Sequence, residues 1–220
     1  MKRTMTKKQR ISLAAVSVLL SALLAVSVVM VFRELSARQK EKEDFAELAE
    51  LVQITPTEPI QPDETPALTD DEPEETLRDL SELFAENSEC IGWLCIPDTA
   101  VNYPVMYTPS VPQKYLRRNF YGEYSQSGVP FLDYRCSPDS GNLLIYGHNM
   151  KNGTMFSDLK KYLDADFLSS HQTIELQIAN SLYRYTVTEI KVTDTSDKWY
   201  EDIGKNLFED KNFLVLSTCY

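Results

Sequence analysis

Two histidines and four cysteines hold most of the nucleophilic and proton-transfer capacity of this 220-residue chain. A cysteine attacks as its thiolate, and a nearby imidazole can help generate that thiolate and later protonate a leaving amine. His148 and Cys219 suit those two roles. Each stands just past an apolar run, Asn142-Leu143-Leu144-Ile145-Tyr146 and Phe213-Leu214-Val215-Leu216, where a rigid strand can present a side chain to solvent. On residue type alone, His148 reads more readily as a surface or hydrogen-bonded histidine, and Cys219 as a core residue. Cys90 and Cys95 are close enough in sequence to form a disulfide if the chain bends between them, and they read equally as small buried apolar groups. Cys136 has no obvious partner. Neither His148 nor His171 falls at a ligand spacing with a cysteine pair, so no metal site is expected.

The elements that must carry this pair are short and extended. Gly92-Trp93-Leu94-Cys95-Ile96, Tyr103-Pro104-Val105-Met106-Tyr107 and Val129-Pro130-Phe131-Leu132 join the two runs above as strand-length apolar segments set off by Pro, Asp, Asn and Gly. Ile174 to Ile178 and Tyr183 to Val192 alternate around Ala179-Asn180-Ser181 and read as a strand pair. Leu77, Leu80, Leu83 and Phe84 share one face of an opening helix. Met155, Phe156, Leu159, Tyr162 and Leu163 follow the Lys151-Asn152-Gly153 turn at helical spacing. About seven strands with few helices predict a mainly β fold, a closed or nearly closed barrel that removes exposed sheet edges.

The N-terminal part has a different composition. Ile11 to Phe32 carries no charge, and about 22 residues rising about 1.5 Å each would span a hydrocarbon core of about 30 Å. A cleaved signal peptide would have a shorter apolar region and a small-residue cleavage site, so 11–32 is read as an uncleaved transmembrane anchor. Lys2, Arg3, Lys7, Lys8 and Arg10 place residues 1–10 in the cytoplasm and the remainder outside. Residues 33–76 then read as a charged helical stalk, Glu34 to Gln53, followed by an acidic, Pro-rich spacer from Thr55 to Thr76. The globular domain is expected over 77–220. A formal charge of -11 argues against nucleic acid, whose phosphates are held by clustered Lys and Arg.

Asn142 to Met150, running on into Lys151-Asn152-Gly153-Thr154-Met155-Phe156, resembles the histidine segment of class B sortases. Leu216-Ser217-Thr218-Cys219 resembles the strand end that carries the sortase cysteine, and the order, His before Cys with about 70 residues between, is also the family's. Ile91-Gly92-Trp93-Leu94, Gln113-Lys114-Tyr115-Leu116 and Asn119-Phe120 are similar to class B segments as well. The resemblance covers roughly Leu77 to Cys219. It implies an eight-stranded barrel with an N-terminal helix outside a Gram-positive-type membrane, and a cysteine transpeptidase that needs no cofactor. Cys219 would attack the carbonyl of a threonine in the C-terminal sorting signal of a surface protein. His148 would protonate the leaving amine, then deprotonate an amino group of a cell-wall precursor or pilin. By family position, Leu116 would line the groove for the signal and Ser217 would contact it beside the nucleophile.

Sortases also place an oxyanion-stabilising arginine on the strand after the cysteine. Only Tyr220 follows Cys219 here, so that arginine has no matching position. Arg117, Arg118, Arg135 and Arg184 all precede the cysteine. The expectation is a sortase-like chain incomplete at its C-terminus, with the final strand missing and the chain inactive or badly impaired. The alternatives are a noncatalytic, membrane-tethered module that binds sorting-signal peptides, and a structural surface protein with a Cys90–Cys95 disulfide and a buried Cys219. The polar stretch Asp194 to Asn206, with Trp199 and Tyr200, is expected to border the groove.

Overall fold

Period-2 apolar alternation needs partner strands, and the chain supplies them from segments far apart in sequence. In the computed structural model, which describes residues 7–55, 77–194, 196 and 212–219, the elements are α1 (Lys7–Leu51), β1 (Gln53–Thr55), β2 (Leu77–Asp79), α2 (Ser81–Glu86), β3 (Cys90–Cys95), β4 (Asn102–Met106), β5 (Phe131–Leu132), β6 (Asn142–Tyr146), α3 (Ala165–Ser170), β7 (Thr173–Ile178), β8 (Ser181–Thr186) and β9 (Phe213–Ser217). Two 3-10 helices, Lys114–Arg117 and Phe156–Leu163, fill the connections before β5 and before α3. Residues 56–76 of the acidic spacer lie outside the described residues. So do Lys2, Arg3, Tyr220 and, except for Asp194 and Ser196, the stretch Asp194 to Asn206.

Two units are distinguished, Met1–Glu43 and Asp44–Tyr220. The first is helical over 7–43, and the helix that passes through the Ile11 to Phe32 run is long and apolar enough to cross a membrane. Leu19, Leu24 and Phe32 are exposed along it.

In the second unit, seven strands form a nearly closed mixed barrel in the order β8-β7-β3-β4-β5-β6-β9. β3 sits between β4 and β7, antiparallel to both. β4 pairs with β5, and β6 with β9, in parallel. The mainly β, nearly closed barrel expected from the sequence is present, with seven strands among the described residues. β8 is shorter than the alternation suggested, ending at Thr186 rather than running to Val192.

One core cluster gathers Leu94, Val101, Val105, Leu143, Leu144, Ile145, Met155, Phe156 and Leu176 inside the barrel. A second gathers Leu48, Val52, Leu80, Leu83, Trp93, Met106, Tyr115 and Phe120. Full burial of one such side chain stabilises by about 1.5–3 kcal/mol. Leu48 and Val52 belong to this core, so the segment read as a free stalk ends as part of the domain's packing.

The opening helix also differs from expectation. Leu77 to Asp79 is not helical; it forms β2, pairing antiparallel with Gln53 to Thr55, and helix begins only at Ser81. The ladder overrides the local pattern, and Gln177 reinforces it. This buried side chain donates from Nε2 to the Arg78 carbonyl at 2.7 Å and accepts from the Arg78 N–H at 2.9 Å. Packing at the β3–β7 seam is close enough that a Cβ on Gly92 would meet the Gln177 carbonyl oxygen at 2.0 Å.

Candidate active site

β6 and β9 run parallel in unbroken register from Asn142 opposite Phe213 to Tyr146 opposite Ser217. The Gly147 N–H extends the ladder by donating to the Ser217 carbonyl at 3.1 Å. Both chains then leave the sheet at the same end, and each reaches its reactive residue two positions beyond the Tyr146/Ser217 pair. His148 and Cys219 thus follow neighbouring strand ends that are far apart in sequence.

The loop after β6 is tightly held. The Phe156 N–H donates to the His148 carbonyl at 2.8 Å, and Asn149 and Met155 form an isolated bridge. Gly147 is required here because a Cβ would lie 2.7 Å from the ring of the fully buried Phe156. The His148 ring is itself oriented, with Nε2 2.9 Å from the Leu116 carbonyl oxygen. A carbonyl only accepts, so Nε2 carries the proton of that bond. Asn149 crosses to the cysteine, its Nδ2 donating to the Cys219 carbonyl at 2.9 Å.

The four thiols have different environments. Cys219 is exposed, whereas Cys90 and Cys136 are buried and Cys95 is half-buried. Burial pushes the Cys90 thiol up to about 11 and raises those of Cys95 and Cys136. All four are free. A Cys90–Cys95 disulfide is ruled out because both lie on β3, where five steps of about 3.3 Å separate them by about 16 Å, well beyond the roughly 7 Å limit between bridged Cα atoms. The structural-protein alternative loses both supports, its disulfide and its buried Cys219.

Tyr146, at the end of β6, belongs to a polar cluster that sequence reading did not single out. The Tyr146 hydroxyl donates to Asp133 at 2.9 Å, and the Arg135 guanidinium grips the same carboxylate at 2.8 and 2.9 Å. Burial pushes the Asp133 carboxyl up, but the Arg135 side chain and N–H and the Tyr146 hydroxyl outweigh it and hold the group below its ordinary value. The signal was the alternation Asp133-Tyr134-Arg135 directly after a buried strand.

Of the groove residues expected, Leu116 lies on the first 3-10 helix, with its side chain partly buried against the second core and its carbonyl on His148. Ser217 ends β9 and is partly buried. The arginines considered earlier have partners within the domain: Arg117 bonds the Gln126 carbonyl, Arg118 the Gly122 carbonyl, Arg135 Asp133, and Arg184 Glu175. No group of three or more His, Cys, Asp or Glu suited to a metal ion occurs among the described residues.

The sortase domain pattern matches residues 94–220. Sortase B of Listeria monocytogenes is 40% identical over 126 residues, 56% of this chain and 49% of that protein. Sortase B of Staphylococcus aureus is 29% identical over 130 residues, 58% of this chain and 53% of that protein. The chain thus spans about half the length of these relatives. The crystal structure of sortase B from Bacillus anthracis in complex with AAEK1 superposes with a TM-score of 0.58 at 25% identity, covering 84% of this chain and 92% of that one. A barrel that delivers a histidine and a cysteine from parallel neighbouring strands, matched over more than half its length by the domain pattern, places this chain in the sortase family, with sortase B proteins among its relatives.

Proposed function

We propose that this chain is a membrane-anchored cysteine transpeptidase in which Cys219 is the nucleophile and His148 the general acid and base. The observation that carries the reading is the in-register parallel pairing of β6 and β9, which brings both residues to one end of the barrel with Cys219 exposed. The Cys219 thiolate attacks the carbonyl carbon of a threonine in a C-terminal sorting signal. A bond from Sγ to that carbon forms, the C–N bond to the next residue breaks, and the departing amine takes its proton through His148.

The thioacyl enzyme retains the acyl energy of the amide, so no nucleotide is consumed. An incoming amine, on a cell-wall precursor or a pilin lysine, attacks the thioester and gives up a proton to His148. The C–S bond then breaks and the thiolate returns. The apolar helix over Ile11 to Phe32 supports a single-pass anchor, with residues 1–10 cytoplasmic and the domain outside. Leu116 and Ser217 are proposed to flank the bound signal. A Staphylococcus aureus sortase B–substrate complex shares the fold at 24% identity and a TM-score of 0.50.

The test is to incubate the full chain in detergent micelles with a sorting-signal peptide and a free amine, following acyl adducts by intact-mass spectrometry. An adduct at Cys219 that is lost in Cys219→Ala, and fails to turn over in His148→Ala, is the expected result. Saturable peptide binding without adduct or product would overturn the transpeptidase and leave the peptide-binding module.

A further inference from the structure

The carbonyl oxygen of Leu116 faces a histidine, and the residues just before it, Lys114 and Tyr115, are tied to the domain. That oxygen accepts from His148 Nε2 at 2.9 Å. The carbonyl before it, on Tyr115, accepts from the Val129 N–H at 3.1 Å, so this side of the 3-10 helix is held against the strand leading into β5. Gly128 packs directly on both oxygens: a Cβ there would lie 2.5 Å from Tyr115 O and 2.7 Å from Leu116 O, and its φ of +60° is one that side chains rarely adopt. On the opposite side, Glu89 accepts from Lys114 Nζ and, at 2.6 Å, from the Tyr115 hydroxyl. Asn87 donates to that hydroxyl at 2.9 Å.

These ties persist at neutral pH. The Lys114 and then the Tyr115 hydrogen bonds hold the Glu89 carboxyl below its ordinary value, while burial and then Glu89 push Tyr115 up to about 12. The helix carrying Leu116 is therefore clamped on two sides, with the free carbonyl pointed at the histidine.

We propose that Leu116, through its backbone carbonyl and clamped by Glu89, Tyr115 and Gly128, is the positioning residue that fixes His148 as its Nε2–H tautomer, leaving Nδ1 as the nitrogen that exchanges the proton with the thiol and the amine. A neutral imidazole carries one N–H, so a bond that spends it on Leu116 leaves only Nδ1 to accept. The role of Nδ1 rests on the proposed catalytic pair, but the tautomer itself does not. His171 is a built-in contrast: its Nδ1 faces the Phe167 carbonyl at 2.9 Å, which requires the opposite tautomer.

The test is a long-range 1H–15N correlation spectrum of the full chain in micelles, selectively labelled at histidine, with His148→Gln used to assign the two rings. The expected spectrum has His148 protonated at Nε2 and His171 at Nδ1. Gly128→Ala should give His148 a mixed population without affecting His171. If that variant does not fold, the half-exposed Glu89→Ala serves, with Glu89→Gln restoring the original spectrum because it keeps an acceptor for Lys114 and Tyr115. In the acyl-transfer assay, Glu89→Ala should lower kcat by about tenfold, with KM little changed, a part of the 10²–10⁴ that a general acid–base commonly supplies.

His148 protonated at Nδ1 in the unmodified chain, or a His148 spectrum unmoved by both Gly128→Ala and Glu89→Ala, overturns the proposal. An Nε2–H His148 in a chain that forms no acyl adduct overturns the transpeptidase reading instead, and leaves the hold of Leu116 on the ring established.

Discussion

Tyr146 and Ser217 are direct register partners on the parallel β6–β9 pair, and each is two residues short of a candidate catalytic residue, His148 or Cys219. An in-register parallel pair keeps the two chains level as they leave the sheet. A one-residue slip on either strand would turn its side chains to the other face and separate His148 from Cys219.

The thiols should therefore differ sharply in reactivity. Limited iodoacetamide treatment of the folded chain, followed by peptide mapping, should modify Cys219 first. Cys90, Cys95 and Cys136, shielded and with thiols raised by burial, should react only after denaturation. Equal labelling of Cys219 and Cys136 under native conditions would remove the basis for the nucleophile.

Gly147→Ala should disturb the histidine loop. The added methyl would meet the buried Phe156 ring at 2.7 Å, and overpacking of this kind costs about 1–3 kcal/mol. A lowered urea midpoint together with a loss of acyl transfer is expected. An unchanged midpoint would mean that the Phe156 ring yields without cost.

Asp133 should matter for stability at the end of β6. Asp133→Ala leaves Arg135 and the Tyr146 hydroxyl without their shared acceptor. Removing one partner of a buried pair costs about 3–5 kcal/mol, and the partial exposure of Arg135 reduces this to about 2–3 kcal/mol. Because the folded carboxyl is held below its ordinary value, the unfolded chain binds more protons in the window between the two values. The contribution is complete above the unfolded value, near pH 4, and is lost as pH falls through the folded one. Urea midpoints measured from pH 6 down to pH 2 should fall more steeply for the unmodified chain than for Asp133→Asn.

Asn149→Ala removes the hydrogen bond to the Cys219 carbonyl. A single such bond is worth about 1 kcal/mol, so acyl transfer should fall about fivefold while the thermal midpoint hardly moves. A large drop in stability without a kinetic effect would show that Asn149 supports the loop and not the nucleophile.

Much of this molecule is written locally. The apolar runs at Asn142 to Tyr146 and Phe213 to Leu216 become β6 and β9 almost residue for residue, because alternation and flanking turn residues act over a few positions. The choice of His148 and Cys219 came from motifs contained within single segments. Where long-range pairing competes with local pattern, the sequence misleads: Leu77 to Asp79 has helical spacing yet forms a strand, because Gln53 to Thr55 and Gln177 provide a ladder and a buried amide for its backbone.

Other features have no local signature at all. That β6 neighbours β9 in parallel, that Asp133 accepts from Tyr146, and that a backbone carbonyl rather than a side chain faces His148 depend on groups 13 or more residues apart meeting in space. A backbone carbonyl is the same at every position, so the sequence by itself could single out His148 and Cys219 as candidates and the strands that precede them, but not what orients the ring. Only the tertiary structure, by folding the first 3-10 helix back on the loop after β6, set the Leu116 carbonyl 2.9 Å from Nε2 of His148.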